Sequence, residues 1–455
     1  MPHLQPLAVL NVVGLSGSLL PHAPNLRRLA ERGHATRLRP VLPAVTCSVQ
    51  SSMLTGRPVD GPDGHGVVGN GWFNQEQQEI QFWKQSNRLV HGEKVWETAR
   101  NIAYQNGMDY RGTANLFWWF NMGSSADVAV TPRPQYRANG QKVPDIWTHP
   151  ALERDLLQAQ LGQFPLFRFW GPGSDLTSSR WIADAAMRVV DRHEPSLTLV
   201  YLPHLDYGLQ KLGPGHPDIP KHVADIDAVV GDLIAFFAQR GTRVIALSEY
   251  GIEPVSKPIH VNRQLRDAGL LRVREEGGHE LLDPIASQAF AVADHQVAHV
   301  YHDPDVQLPD ITNCTAERMD HPRAGQTVLI ADAGAWFTYD YWPADRPDKA
   351  PDFARIVEIH RKPGYDPREL FLDVNKASLA WKLVKKKLGF AQPLDVIPLD
   401  ATRVKGSHGR TNNPEHLQPV MLGEHDITQD ETPCTAVRDT VRSAMFGNAF
   451  VPDQT

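Results

Sequence analysis

Three near-continuous apolar runs constrain the fold of this chain more than any other feature: Leu7 to Val13, Leu197 to Leu202 and Val244 to Leu247. A strand with one wet face alternates apolar and polar residues. A strand apolar throughout is covered on both faces, the condition of a parallel sheet layered between helices. Between the second and third runs, Val223, Ile226, Val229, Val230, Leu233, Ile234 and Phe237 recur at helical spacing, with Asp225, Asp227 and Asp232 off that face. Strand, helix, strand in this order predicts right-handed crossovers, with ligands bound beyond the carboxyl ends of the strands. The three runs end in Gly14 and Ser16, His204 and Asp206, and Ser248 and Glu249. These ends are expected to converge on one site.

A length of 455 residues accommodates a large α/β domain with an insertion. From about residue 271 the texture shifts to charge-rich turns and short mixed segments, and core-like residues return near Leu394 to Leu399. The expected architecture is therefore α/β, a doubly wound, mostly parallel sheet with a smaller inserted α+β lobe. Residues 1–270 and 395–455 form the core, and 271–394 the lobe over the strand ends. Trp336, Phe337, Tyr339 and Tyr341 belong to that lobe, with packing favoured over a pocket-lining role. The segment from Trp381 to Leu388 reads as a basic, solvated surface helix.

A net charge of −6 gives no basic face for nucleic acid. Cys47, Cys314 and Cys434 are too few and too scattered for a disulfide framework or a zinc ribbon. The first apolar run is too short to span a membrane or to serve as a signal sequence, so a cytoplasmic protein is expected. The Trp residues, including Trp118, Trp119, Trp170 and Trp181, are assigned chiefly to packing.

The stretch Pro43 to Gly56 predicts a turn of small residues and then a helix that begins on hydroxyls: Thr46, Ser48, Ser51 and Ser52. A helix start carries unpaired N–H groups and a field that favours anions. A hydroxyl there caps the helix, or attacks phosphorus or sulfur if its proton is drawn away. The glycine-punctuated turn Gly64 to Trp72 presents Asn70, a donor for an anionic oxygen or an ordinary turn residue. Asp206 follows a strand end near His204 and His216, as half of a metal site or as a helix cap. Glu249 ends a buried strand, where a charge needs partners. His408 and Arg410 sit in a glycine turn late in the chain.

In this order the segments resemble the alkaline phosphatase superfamily, within it the nucleotide pyrophosphatase/phosphodiesterase branch. Ala23 to Gly33 is similar to that family's "TPNLxxLAxxG" start. Pro43 to Gly56 is similar to its nucleophile segment, His65 to Asn70 to its "HGIVxN", and Ser407 to Glu415 to its late "THGYDN..PEM". His321 to Gly325, followed by Val328 to Ala331, also looks like a family strand. The resemblance implies a Thr46 nucleophile, phosphate contact through Asn70, and one or two divalent ions (Zn, Mn or Mg) on Asp206, Glu249 and His408. It also shows departures: Val13 stands for an Asp ligand, Gln210 for a His, and Glu249 and Tyr250 for Asp and His. His204, His216 and His260 are candidates to fill the gaps.

Two readings follow. The first is hydrolysis of a small anionic phosphate ester or phosphodiester. The second is a non-catalytic or metal-free descendant that binds a small molecule, with Tyr250 or a histidine as base in the metal-free case.

Overall fold

Each of the three apolar runs is a strand, and they lie side by side. The computed structural model describes residues 4–138, 141–374, 380, 381, 384 and 394–447. Leu7–Val12 pairs in parallel with Leu197–Leu202 on one side and Arg243–Leu247 on the other. Two more parallel strands, Thr113–Leu116 and Val128–Pro132, extend the sheet beyond Leu197–Leu202. The antiparallel Ile146–His149 finishes it at one end; at the other, the antiparallel Val420–Gly423 lies between Arg243–Leu247 and His34–Arg39, and Glu431–Pro433 pairs in parallel with His34–Arg39 at the edge. The result is a nine-stranded, mostly parallel sheet within an α/β fold.

Two groups of helices cover the sheet. Pro24–Arg32, Leu176–His193 and Ile219–Ala238 pack together, and Thr46–Thr55, Val95–Gln105 and Val437–Phe446 form the second group. Ile219–Ala238 buries Val223, Ile226, Val229, Val230, Leu233 and Phe237, as its periodicity predicts. Asp227 departs from that pattern. It is buried, and its carboxylate accepts the backbone N–H groups of Asn25 and Leu26 at 2.9 Å each. It thus satisfies the first turn of Pro24–Arg32, which has no side-chain cap of its own.

A second hydrophobic core lies over the sheet. Its centre is the antiparallel group Ala289–Asp294, Val297–His302, Thr327–Ala331 and Cys314–Glu317. Pairing crosses the expected boundary at residue 270, because Lys257–Ile259 runs parallel to Ala335–Phe337. Phe337, Tyr339 and Tyr341 belong to this core, and Trp336 to a small satellite cluster; all four are fully buried. They are packing residues. Most of the segment from Trp381 to Leu388 lies outside the described residues. No described helix is long and apolar enough to cross a membrane.

Candidate active site

The strand register brings the predicted ends together. Asn11 sits opposite Leu247, two residues before Glu249, and Val12 sits opposite Leu202, just before the helix His204–Leu212. Thr46 is the first residue of the helix Thr46–Thr55, whose every residue is buried. The preceding Val45 is extended and offers no side-chain cap, and Gly56 ends the helix in the left-handed region at φ 70°. Ser51 and Ser52 turn inward, to the Cys47 carbonyl and to His65 respectively. Of the four hydroxyls, Thr46 is the one bonded into the site: its Oγ1 lies 3.0 Å from the Tyr250 hydroxyl.

The turn before Thr46 is held from the far end of the chain. His408 Nδ1 donates to the Ala44 carbonyl at 2.8 Å, and the Ala44 N–H donates to the Gly409 carbonyl at 2.9 Å. Gly409 has φ 130°, and a Cβ there would come within 3.0 Å of the Gln296 nitrogen, so a side chain is excluded.

Asn70 is clamped beside the start of the Thr46 helix. Its Oδ1 accepts the Cys47 N–H at 3.0 Å, its Nδ2 donates to Asp294 Oδ1 at 3.1 Å, and its backbone N–H donates to Asp294 Oδ2 at 2.7 Å. One amide hydrogen remains to meet an anionic oxygen. The Asp294–His295 pair is absent from the sequence-based expectations. Asp294 ends a strand of the second core, and its Oδ1 also accepts from His295 Nδ1 at 2.8 Å. His295 takes the left-handed backbone conformation, φ 60°, in the bend to the next strand. An Asp-His pair between two apolar segments, Ala289 to Ala293 and Val297 to Tyr301, was the available signal.

Four rings then form a column. Tyr250 stacks on His408 at 3.5 Å and 7°, His408 meets His295 at 3.8 Å, and His295 stacks on Tyr365 at 3.7 Å. The hydroxyl of Tyr365 donates to Gln210 Oε1 at 2.8 Å, and Gln210 Nε2 donates to Asp206 Oδ2 at 2.9 Å. Tyr250 lies near enough to Asp206 for each to perturb the other's titration. Tyr365 is fixed from both sides of the sequence. Its N–H donates to the Ala293 carbonyl at 2.9 Å. Beside it, Lys362 bridges Asp366 and Glu369 at 2.8 and 2.7 Å, and Arg368 bridges Asp366 and Asp340 at 2.7 Å each. All five charged groups are buried.

Burial governs the electrostatics. It pushes Asp206 up to about 7 despite donors from Gln210 and Tyr250, and Glu249 up to about 8 despite donors from Gln50 and Asn11. Asp294 rises to about 6, also by burial. Burial likewise holds His295 and His408 well below the usual imidazole range, so both are neutral.

Among the other candidates, Arg410 lies 3.5 Å from Glu253 rather than at Thr46. His204 pairs with His222 at 3.3 Å, His216 sits beside Asp218, and His260 bonds Thr338. None of these histidines bonds to the Thr46, Asp206 or Glu249 side chain in these contacts.

The donor set does not fit a pair of divalent ions. Among the described residues no three His, Cys, Asp or Glu side chains are grouped to hold one. Asp206, Glu249 and His408 each contribute to the site, but Val13 is apolar, Gln210 is an amide bonded at both ends, and Tyr250 is a phenol raised by burial well above its ordinary range. Zinc normally takes three or four N, O or S ligands in close geometry.

Comparison with known proteins gives the same fold. The structure matches murine ectonucleotide pyrophosphatase/phosphodiesterase 5, solved as an inactive variant with AMP, at TM-score 0.57 and 13% identity, covering 97% of this chain and 94% of that one. The human counterpart matches at TM-score 0.56 and 12% identity, covering 96% and 94%. An uncharacterized pyrophosphatase/phosphodiesterase of Schizosaccharomyces pombe is 25% identical over 241 residues, 51% of this chain and 41% of the relative. The match thus spans less than half of that relative's length. The fold is alkaline phosphatase-like. Matched by the family profile over residues 7–366, the chain belongs to the type I phosphodiesterase/nucleotide pyrophosphatase family.

Proposed function

We propose that this chain hydrolyses a small phosphodiester or phosphate ester, a nucleotide derivative included, with Thr46 as the nucleophile. The observation that carries this reading is the 3.0 Å contact between Thr46 Oγ1 and the Tyr250 hydroxyl, continued to Asp206. Thr46 stands at a helix start, and a carboxyl near 7 at the end of the relay is a base matched to neutral pH. Tyr250 takes the Thr46 proton as it passes its own to the Asp206 carboxylate. The Thr46 oxygen forms a bond to phosphorus, and the ester oxygen leaves with the electron pair of the broken P–O bond. Glu249, protonated at neutral pH, is the acid that protonates the leaving oxygen. The remaining Asn70 hydrogen faces the charge gathering on the phosphoryl group. Water then hydrolyses the Thr46 ester, with proton transfer reversed.

Turnover of a panel of nitrophenyl phosphodiesters and monoesters by wild type and Thr46→Ala tests this. The expected result is hydrolysis by wild type and none by the variant. Equal rates across the panel would sink it.

One observation favours a second reading, a small-molecule binding protein without turnover. Thr46, Asp206, Glu249, Tyr250, His408 and Tyr365 are each 5% exposed or less. That reading expects ligand-dependent stabilisation by a phosphodiester that is recovered intact.

A further inference from the structure

We infer that this site operates without divalent ions, because Val13, Gln210 and Tyr250 stand at three of the ligand positions and, among the described residues, the remaining His, Asp and Glu side chains are not grouped to hold one. The inference rests on the donor set and is independent of whether the chain is a hydrolase.

Glu249 is the first such position. Asn11 Nδ2 donates to Glu249 Oε1 at 2.6 Å, and Gln50 Nε2 donates to the same oxygen. Gln50 is fixed in turn, because its Oε1 accepts the Trp119 N–H at 2.6 Å. Two neutral donors on one oxygen make the carboxyl part of an amide network, and Val13, fully buried beside that strand end, offers no lone pair. Gln210 is the second position. Its amide nitrogen serves Asp206 and its oxygen serves Tyr365, so both ends are committed. His408 is the third. Its ring is sandwiched between Tyr250 and His295, with Nδ1 donating to Ala44 and Nε2 without a partner.

Turning Gln210 toward a cation would break its bonds to Asp206 and Tyr365. Buried polar groups that lose their partners cost free energy rather than gaining it. Tyr365 is the least replaceable tie, since the Lys362, Asp366, Arg368, Asp340 and Glu369 lattice holds its segment in place. The unpartnered buried atoms Asp206 Oδ1, Glu249 Oε2 and His408 Nε2 are what remains of the ligand set. Among the described residues they are not grouped to hold an ion.

The test uses the full chain. Purified protein is analysed for bound metals, titrated with Zn²⁺, Mn²⁺ and Mg²⁺ by calorimetry, and melted with and without excess chelator. The expected result is well under one ion per chain, no saturable binding at the site, and an unchanged Tm. A stoichiometric ion, or a Tm that falls on chelation and recovers on adding one of these ions, overturns the inference. Hydrolysis in chelator is followed in parallel. Thr46-dependent turnover that needs an added ion overturns the inference and leaves the proposed function standing. No turnover under any condition overturns the proposed function, and the metal analysis still decides the inference. A double variant, Gln210→His with Tyr250→His, supplies a positive control: its expected gain of zinc binding over wild type supports the inference, and wild-type binding as tight as the variant's overturns it.

Discussion

Tyr250 lies flat on His408, with ring centroids 3.5 Å apart and planes 7° from parallel, while its hydroxyl reaches Thr46 at 3.0 Å. The ring and the hydroxyl have separable roles. Tyr250→Phe keeps the stack and removes the relay. It is expected to unfold within about 1 kcal/mol of wild type and to lose about 10²- to 10⁴-fold in kcat, the usual worth of a positioned proton-transfer group. Steady-state hydrolysis with a urea melt measures both. A wild-type rate would remove Tyr250 from the mechanism.

Glu249 links stability to pH. Burial lifts its folded-state pKa from the ordinary 4.5 to about 8. Between those values the folded state holds a proton that the unfolded state has released, so stability from this group is lost as pH rises. Glu249→Gln cannot titrate. The stability of wild type relative to this variant should therefore fall steadily from about pH 4.5 to about pH 8. Denaturation at a series of pH values measures it, and a difference that is flat or grows with pH would show that the carboxyl is ionised in the folded protein.

At Tyr365 the hydroxyl and the ring contribute on different scales. Tyr365→Phe gives up one hydrogen bond to Gln210 and should cost about 1 kcal/mol. Tyr365→Ala also empties the place of a ring stacked on His295 and should cost about 3–5 kcal/mol. Equal losses in a urea titration would mean that the ring carries no packing energy.

Lys362 answers two carboxylates, Asp366 at 2.8 Å and Glu369 at 2.7 Å, with all three groups buried. Lys362→Met leaves uncompensated charge and should cost about 3–5 kcal/mol. Glu369→Gln in the same background should recover part of that loss. A double-mutant cycle with no coupling would contradict the lattice.

The sheet was readable because burial on both faces leaves a compositional trace, and Leu7, Leu197 and Val244 begin or lie in runs that could be little else. The placement of Thr46 at a helix start, Asp206 just past a strand and His408 in a glycine turn was readable from local pattern. The ties on them were not. Asn11 lies inside an apolar strand and Gln50 inside a buried helix, where a single amide has no pattern around it. Asp294, His295 and Tyr365 reach the site through the second core, and their approach depends on how that core docks. Asp227 misled for the same reason: its spacing on Ile219–Ala238 says nothing about the helix start it caps.

The two bonds between Ala44 and the His408–Gly409 turn join positions that are 364 residues apart at the His408–Ala44 contact. On a ribosome, Thr46 emerges early and waits for nearly the whole polypeptide before the His408–Gly409 turn can bind Ala44. A nascent chain stalled before His408 would carry the Thr46 hydroxyl without this mooring, so this arrangement of the turn cannot arise on unfinished product.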